Sequence, residues 1–361
     1  MAAYFGYMLL AGAQAPFFYN RDKLGQRQFN TRAYLLLCCI EIILLAGLRG
    51  YTVGADTVVY LNALRHYNSL PLWELPMASL VFPFDFEIGY FALTKICAFF
   101  GMNETAFLFV IAMLTYIPLF SVIQKYSSVP YLSILSYFAF GMFSYSLGVF
   151  RQMIAISILL CGWKYIRERR PINYFLVVAL AMTFHTTAII GALLYVLYGL
   201  NWRKIIWLVI PAELFLIVFG RQIAMLAFRF LPKYAGYIGG QYDQQGGSYL
   251  MLLMLNAVLF ACIILDKMGR YHDNMTISAL IIAVLLQSVG YSMAIFGRIV
   301  PYFSVYLIFA IPDAVYGMGK NWRKPAGVVA VAVLFFLTYR LMAGNQYVTP
   351  YYFFFQNIPI K

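Results

Sequence analysis

Charge is what this chain has least of. Only 11% of its 361 residues are Asp, Glu, Lys or Arg, and 13 acidic residues face 26 basic ones. Histidine occurs three times and cysteine five times. Each scarcity excludes something. A soluble domain with 63% hydrophobic residues could not cover its apolar surface, so lipid must solvate most of the chain. Cys38, Cys39, Cys97, Cys161 and Cys262 form no CxxC pair and sit in apolar runs, where they read as packing residues. His66 and His272 lie in loops, and no His, Cys, Asp or Glu set has metal-ligand spacing. There is no P-loop, no GxSxG, no HExxH and no aspartate-rich motif. Chemistry here is expected to proceed without ATP, metal or other cofactor. The net charge of +13 would point to nucleic acid in a soluble protein. In a membrane chain it reads as the Lys and Arg excess of cytoplasmic loops, and no nucleic-acid partner is expected.

Long apolar runs are abundant. A helix needs roughly 20 apolar residues to cross the hydrocarbon. Runs near that length recur at 2–19, 33–48, 105–123, 129–147, 149–163, 172–184, 187–200, 205–219, 248–265, 275–292, 299–317 and 326–342. The expected fold is all-α: a single polytopic membrane domain over 1–361 with about twelve transmembrane helices, within a range of 10–14. Residues 2–19 lack a charged n-region and a small-residue cleavage site, so they are expected to be a retained helix. Basic clusters at 21–32, 164–170, 203–204, 267–270 and 320–324, with Lys125, orient the chain with these loops in the cytoplasm and both termini outside. Basic residues flank 172–200 on both sides, so two short helices with a bend near His185 are expected there. The segment 87–100 is short and carries Lys95; it is expected to be interfacial or re-entrant on the outer side. Outer loops then cover 49–104 and 221–247. No internal repeat or low-complexity tract is visible.

This topology sets several arginines against the positive-inside trend. Arg49, Arg151, Arg298 and Arg340 fall at outer helix ends, and Arg65, Arg221 and Arg229 in the outer loops. A guanidinium binds phosphate bidentately and stays protonated, so an anion is one reason for such placement. The alternative for each is snorkelling to headgroups or pairing with Asp56 or Glu87. His185, in Phe184-His185-Thr186, is the only histidine within an apolar run and a candidate base; the alternative is a ring satisfied by a neighbouring carbonyl. Asp56 and Glu87 are further candidate bases or sugar-hydroxyl acceptors, and could equally neutralise Arg49 and its neighbours.

Several motifs then come together in order: Leu48-Arg49, Val53-Gly54-Ala55-Asp56-Thr57 and Tyr60; Glu87-Ile88-Gly89-Tyr90; Phe150-Arg151-Gln152; Phe184-His185-Thr186; Gly297-Arg298 with Tyr302-Phe303; Pro350-Tyr351. The pattern resembles the EpsG family of Wzy-type polysaccharide polymerases, over nearly the whole chain. The resemblance implies a GT-C-like membrane glycosyltransferase of the bacterial inner membrane, with its active site facing the periplasm or cell exterior. It would build O-antigen, capsule or exopolysaccharide by moving a growing glycan from undecaprenyl diphosphate to the non-reducing end of a new lipid-linked repeat unit. Arg49, Arg151 and Arg298 would hold the diphosphate, and His185, Asp56 or Glu87 would serve as base. Gln152, Tyr60, Tyr90 and Tyr302 would contact substrate, with membrane lipid around the prenyl tails. A chain-length regulator and a flippase are the partner proteins the family implies. Competing readings are an O-antigen ligase with the same donor, a membrane O-acyltransferase using the lone histidine, and a lipid-linked sugar flippase. Charges gathered at one face, without repeated halves, favour chemistry over passage.

Overall fold

The computed structural model describes residues 1–21, 27–71, 86–199, 201–230, 248–271 and 273–356. Much of the outer-loop sequence, including Glu74, Asp85 and 231–247, therefore lies outside the described residues, as does His272. Seventeen α-helices are present among the described residues. The chain opens with α1 (Ala2–Gln14), then a two-stranded hairpin, β1 (Tyr19–Arg21) antiparallel to β2 (Arg27–Phe29), a small exception to an otherwise helical fold. Next come α2 (Thr31–Gly47), α3 (Thr57–Ser69), α4 (Ile88–Phe99) and α5 (Glu104–Tyr126). Asn30 and Asn103 cap α2 and α5, their side chains accepting the Ala33 and Ala106 N–H groups.

The middle of the chain is more broken than its apolar runs imply. The run 129–147 forms α6 (Pro130–Ala139) and α7 (Met142–Gly148), separated at Gly141, whose φ of 78° lies in the left-handed region. After α8 (Phe150–Cys161) and the short α9 (Trp163–Arg167), α10 (Pro171–Phe184) starts on a proline and stops at His185, which is extended (φ −155°, ψ 117°). A 3₁₀ turn (Thr186–Gly191) and α11 (Ala192–Leu197) carry the chain back, so the expected bend at His185 is present.

The remaining helices are α12 (Trp202–Phe230), α13 (Tyr249–Lys267), α14 (Asn274–Ser292), α15 (Pro301–Ser304), α16 (Leu307–Gly317) and α17 (Lys320–Ala343). α12 runs well past residue 219, so Arg221 is helical rather than in a loop. Among the described residues, α5, α12, α13, α14 and α17 are long and apolar enough to cross a bilayer, and a sixth span arises if Ala294–Ser304 and Leu307–Gly317, bent by 51°, count together. The other expected crossings exist as shorter or interrupted helices.

α14 is the buried centre, packed against α12, α13, α15 and α16. α12 and α17 instead present Trp207, Leu214, Val218, Val328 and Phe336 outward, as helices solvated by lipid do. The two ends of the bundle differ in charge. One end holds the ion pairs Arg167–Asp273 and Arg203–Asp266, with Lys125, Lys267, Arg270 and Arg323 nearby. The other gathers Arg49, Glu87, Arg151, His185 and Arg298, and there the C-terminal segment 347–354 hydrogen-bonds the 48–54 turn. A satellite core of Tyr60, Leu64, Tyr67, Tyr90 and Cys97 ties α3 and α4 to the first turns of α5 and α8. Both ends of α4, which is roughly 18 Å long at 1.5 Å per residue, stay at this second end. Glu87 meets His185, and Met102 meets Asn68 just before α5 begins.

Candidate functional site

Four helix termini meet at the second end: the start of α4, the start of α8, the end of α10 and the turn before α15. Their meeting puts three sequence candidates in direct contact. Glu87, preceding α4, accepts at one oxygen from Arg151 Nη1 (2.5 Å). Its other oxygen lies 3.0 Å from His185 Nδ1, 3.0 Å from the Thr186 N–H and 3.2 Å from Thr186 Oγ1. The Glu87, Arg151 and His185 side chains are between 16% and 23% exposed, shielded yet reachable by a ligand.

Burial alone would raise the pKa of the Glu87 carboxyl. The His185 and Thr186 donors, with the Arg151 charge, outweigh it and hold the group well below the usual carboxylate range. An ionised carboxylate can only accept, so Nδ1 of a neutral His185 carries the proton and Nε2 keeps its lone pair. The result is a carboxylate-oriented imidazole, the arrangement that suits His185 to accept a proton. Glu87 suits a positioning role, because its lone pairs are already engaged.

Arg151 is held from several sides. Its guanidinium lies 5.0 Å over the Phe86 ring, and its charge acts on the nearby Tyr60 hydroxyl. The next residue, Gln152, donates through Nε2 to the Arg298 carbonyl (2.5 Å), and Tyr302 Oη lies 3.0 Å from Thr187 Oγ1. Tyr60, Gln152 and Tyr302 thus line or brace the same centre. Tyr90 is fully buried beneath it, with no hydrogen-bond partner for its hydroxyl among the described residues, which puts it out of a substrate's reach.

Arg49 departs from expectation. It is 1% exposed, and its three guanidinium nitrogens donate to the carbonyls of Ala46, Val53 (3.2 Å) and Leu147 (3.1 Å). Burial pushes its pKa down to about 10, so it stays charged at neutral pH. Its donors are committed to backbone, which leaves it no fork for a diphosphate. The surrounding loop is drawn tight: Gly54 has φ 113°, and a Cβ there would fall 1.9 Å from the Leu147 carbonyl oxygen. Asp56 is exposed at the start of α3 and makes no capping bond. Arg298 also lines a separate cavity together with Arg340.

Sequence reasoning did not single out Thr186, Thr187 or Phe86. The signal for the threonines was present: a polar His-Thr-Thr triplet inside an apolar run. No group of three or more metal-capable side chains occurs among the described residues. No curated protein and no solved structure matches the chain. The EpsG family model matches residues 32–353, a span that includes every site residue above. With its long apolar helices, the chain is a membrane protein and belongs to the EpsG family.

Proposed function

We propose that this protein is a polysaccharide polymerase that transfers a growing glycan from undecaprenyl diphosphate to the non-reducing end of a lipid-linked repeat unit. The observation that carries the reading is the Glu87–His185 pair beside Arg151, at the end of the bundle away from the ion-paired basic cluster. The positive-inside rule then sets this site at the outer face of the inner membrane. In this reading the twelve apolar segments alternate between the two ends as a GT-C-like bundle, with broken segments counted as crossings.

The reaction needs a proton acceptor and a stabilised leaving group. His185 Nε2 takes the proton of the acceptor hydroxyl. The freed oxygen attacks the anomeric carbon of the donor sugar, and the carbon–oxygen bond to undecaprenyl diphosphate breaks. Arg151 offsets the charge that gathers on the departing diphosphate, the kind of preorganised electrostatic help that lowers barriers most. Glu87 orients the imidazole and stabilises it once protonated. Arg49 acts as a positioning residue beneath this centre. Asp56, exposed at its edge, is a candidate sugar contact, and the buried Tyr302 braces the Thr187 turn. A chain-length regulator and a flippase would supply and limit the substrate.

The test is deletion in the native host with glycans resolved on a gel. A ladder of lengths should collapse to a single capped unit, and plasmid-borne wild type, but not His185→Ala, should restore it. A ladder persisting after deletion would overturn the reading.

A further inference from the structure

A cationic cluster stands at the opposite end of the bundle from the Glu87–His185 pair and takes no part in the transfer. Arg270 lies in the turn between α13 and α14, and Lys320, Arg323 and Lys324 lie in the first turns of α17. Close packing joins the two elements. A Cβ on Gly317 would fall 2.8 Å from the Arg270 carbonyl oxygen, so the turn rests directly on the end of α16. The Arg270 guanidinium thereby reaches Gly319, which caps α17, with Nη1 3.7 Å from where a Cβ there would stand. The Arg323 guanidinium carbon lies 3.9 Å over the centroid of the Tyr316 ring. Its Nε is buried with no hydrogen-bond partner among the described residues.

Charge at this end is unevenly matched. Asp266, Asp273 and Asp313 engage Arg203, Arg167 and Ser128. None of the four cations of the cluster pairs with a carboxylate among the described residues. The helix adds to the mismatch, because its start carries partial positive charge and α17 has no acidic residue in its first turn. Cations gathered there repel that charge and one another until an anion joins them. The surroundings select the kind of anion. Tyr316 and Trp322, 50% and 70% exposed, are the amphipathic rings of a membrane interface, and Val328 and Val329 further along α17 face outward. The cluster therefore sits at headgroup height above a hydrocarbon-facing helix. We propose that Arg270 and Arg323, flanked by Lys320 and Lys324, bind the phosphate of an anionic phospholipid. Guanidinium forks match phosphate oxygens, and basic pockets between helices on the cytoplasmic side hold such headgroups. The lipid bridges the α13–α14 turn and the start of α17, whichever reaction the opposite end performs.

Two measurements test it. The full chain in neutral detergent is melted with phosphatidylglycerol, phosphatidylcholine or inorganic phosphate. Phosphatidylglycerol alone should raise Tm, since a ligand of the folded state stabilises it by mass action. The double variant Arg270→Gln, Arg323→Gln should need roughly ten-fold more phosphatidylglycerol for the same rise. The control double variant Lys164→Gln, Lys204→Gln removes the same charge from exposed side chains at the same end and should respond as wild type. An equal loss in both would mean diffuse attraction and overturn the site. An equal rise with phosphatidylcholine would overturn the preference for an anion, and an equal rise with inorganic phosphate would assign the cluster to a free anion instead of a lipid. The second measurement uses wild type alone, so it stands even if the arginine variant fails to fold. Phosphatidylglycerol carrying a photoreactive headgroup should crosslink mainly to peptides covering 264–271 and 316–326. Crosslinks spread evenly over the basic segments 164–170, 203–204 and 320–324 would defeat the proposal.

Discussion

The Arg49 guanidinium carbon stands 5.1 Å from the centroid of the Phe150 ring, one residue before Arg151. Tyr60 stacks on that ring at 4.6 Å between centroids, its hydroxyl within reach of the Arg151 charge. The buried arginine thus sets the height of the functional one through a single aromatic ring. It also fastens three backbone segments, because Ala46, Val53 and Leu147 belong to α2, the following loop and α7.

This predicts different failures for the two arginines. Arg49→Ala takes the guanidinium donor from the buried Ala46 carbonyl, at about 1–3 kcal/mol, and leaves the Val53 and Leu147 carbonyls to share the single Thr57 hydroxyl. The variant should show reduced yield and a lowered Tm, and Arg49→Lys should rescue it only in part, since an ammonium cannot reproduce the fork. Arg151→Ala should accumulate in the membrane normally and make no ladder. Immunoblots of membrane fractions alongside glycan gels separate the two. A well-folded, fully active Arg49→Ala protein would refute the bracing role.

The Glu87–His185 pair makes a second prediction. His185→Ala should lower transfer by roughly 10²–10⁴-fold, the usual range for removing a general base. Glu87→Gln keeps the shape of the carboxyl group but can no longer hold a full charge against Nδ1 and Arg151. Its loss should fall on kcat more than on KM, because the imidazole loses the carboxylate that orients it. A Glu87→Gln enzyme with unchanged kcat would remove Glu87 as the group that positions His185.

Stability should follow the same carboxylate. Its folded pKa is depressed, so it stabilises the fold above the unfolded value of about 4.3, and that contribution declines as the pH falls below it. Wild type should therefore exceed Glu87→Gln in Tm at pH 7, and the gap should narrow on acidification from pH 5 to pH 3. A gap that stays constant would mean the carboxylate gains nothing from its four donors.

Much of this site was legible in the sequence because scarcity itself is a signal. A His, a Glu and an Arg near apolar helix ends had few alternative partners, and the structure joins Glu87, Arg151 and His185. The bend at His185 followed from basic residues on both flanks of one apolar run. Arg49 was not legible in the same way. An arginine at a helix exit can turn to water or to carbonyls, and the choice depends on where α7, some hundred residues later, delivers Leu147. Arg340 was visible as an outer arginine, yet its cavity takes walls from helices far apart in the chain. The α6–α7 break also escaped, since hydropathy is blind to a left-handed glycine in an apolar run, and so did the 51° bend before α16.

Gly89 links packing to chemistry most directly. A Cβ there would lie 2.4 Å from Thr183 Oγ1 and 2.8 Å from the Thr183 carbonyl oxygen, so α4 can rest against α10 only because residue 89 has no side chain. Thr183 lies two residues before His185, and Glu87 two residues before Gly89. The carbonyl cannot rotate away, so Gly89→Ala must push the start of α4 outward, stretching contacts that now measure 3.0 Å from Glu87 to His185 and to the Thr186 N–H. The satellite core of α3 and α4 lies further along and should hold the helix in place. Gly89→Ala should therefore fold, insert and lose at least ten-fold in transfer, whereas Gly6→Ala, with open space at its Cβ position, should match wild type. Full activity in Gly89→Ala would mean that the Glu87–His185 contact tolerates displacement, which a carboxylate that positions a catalytic imidazole does not.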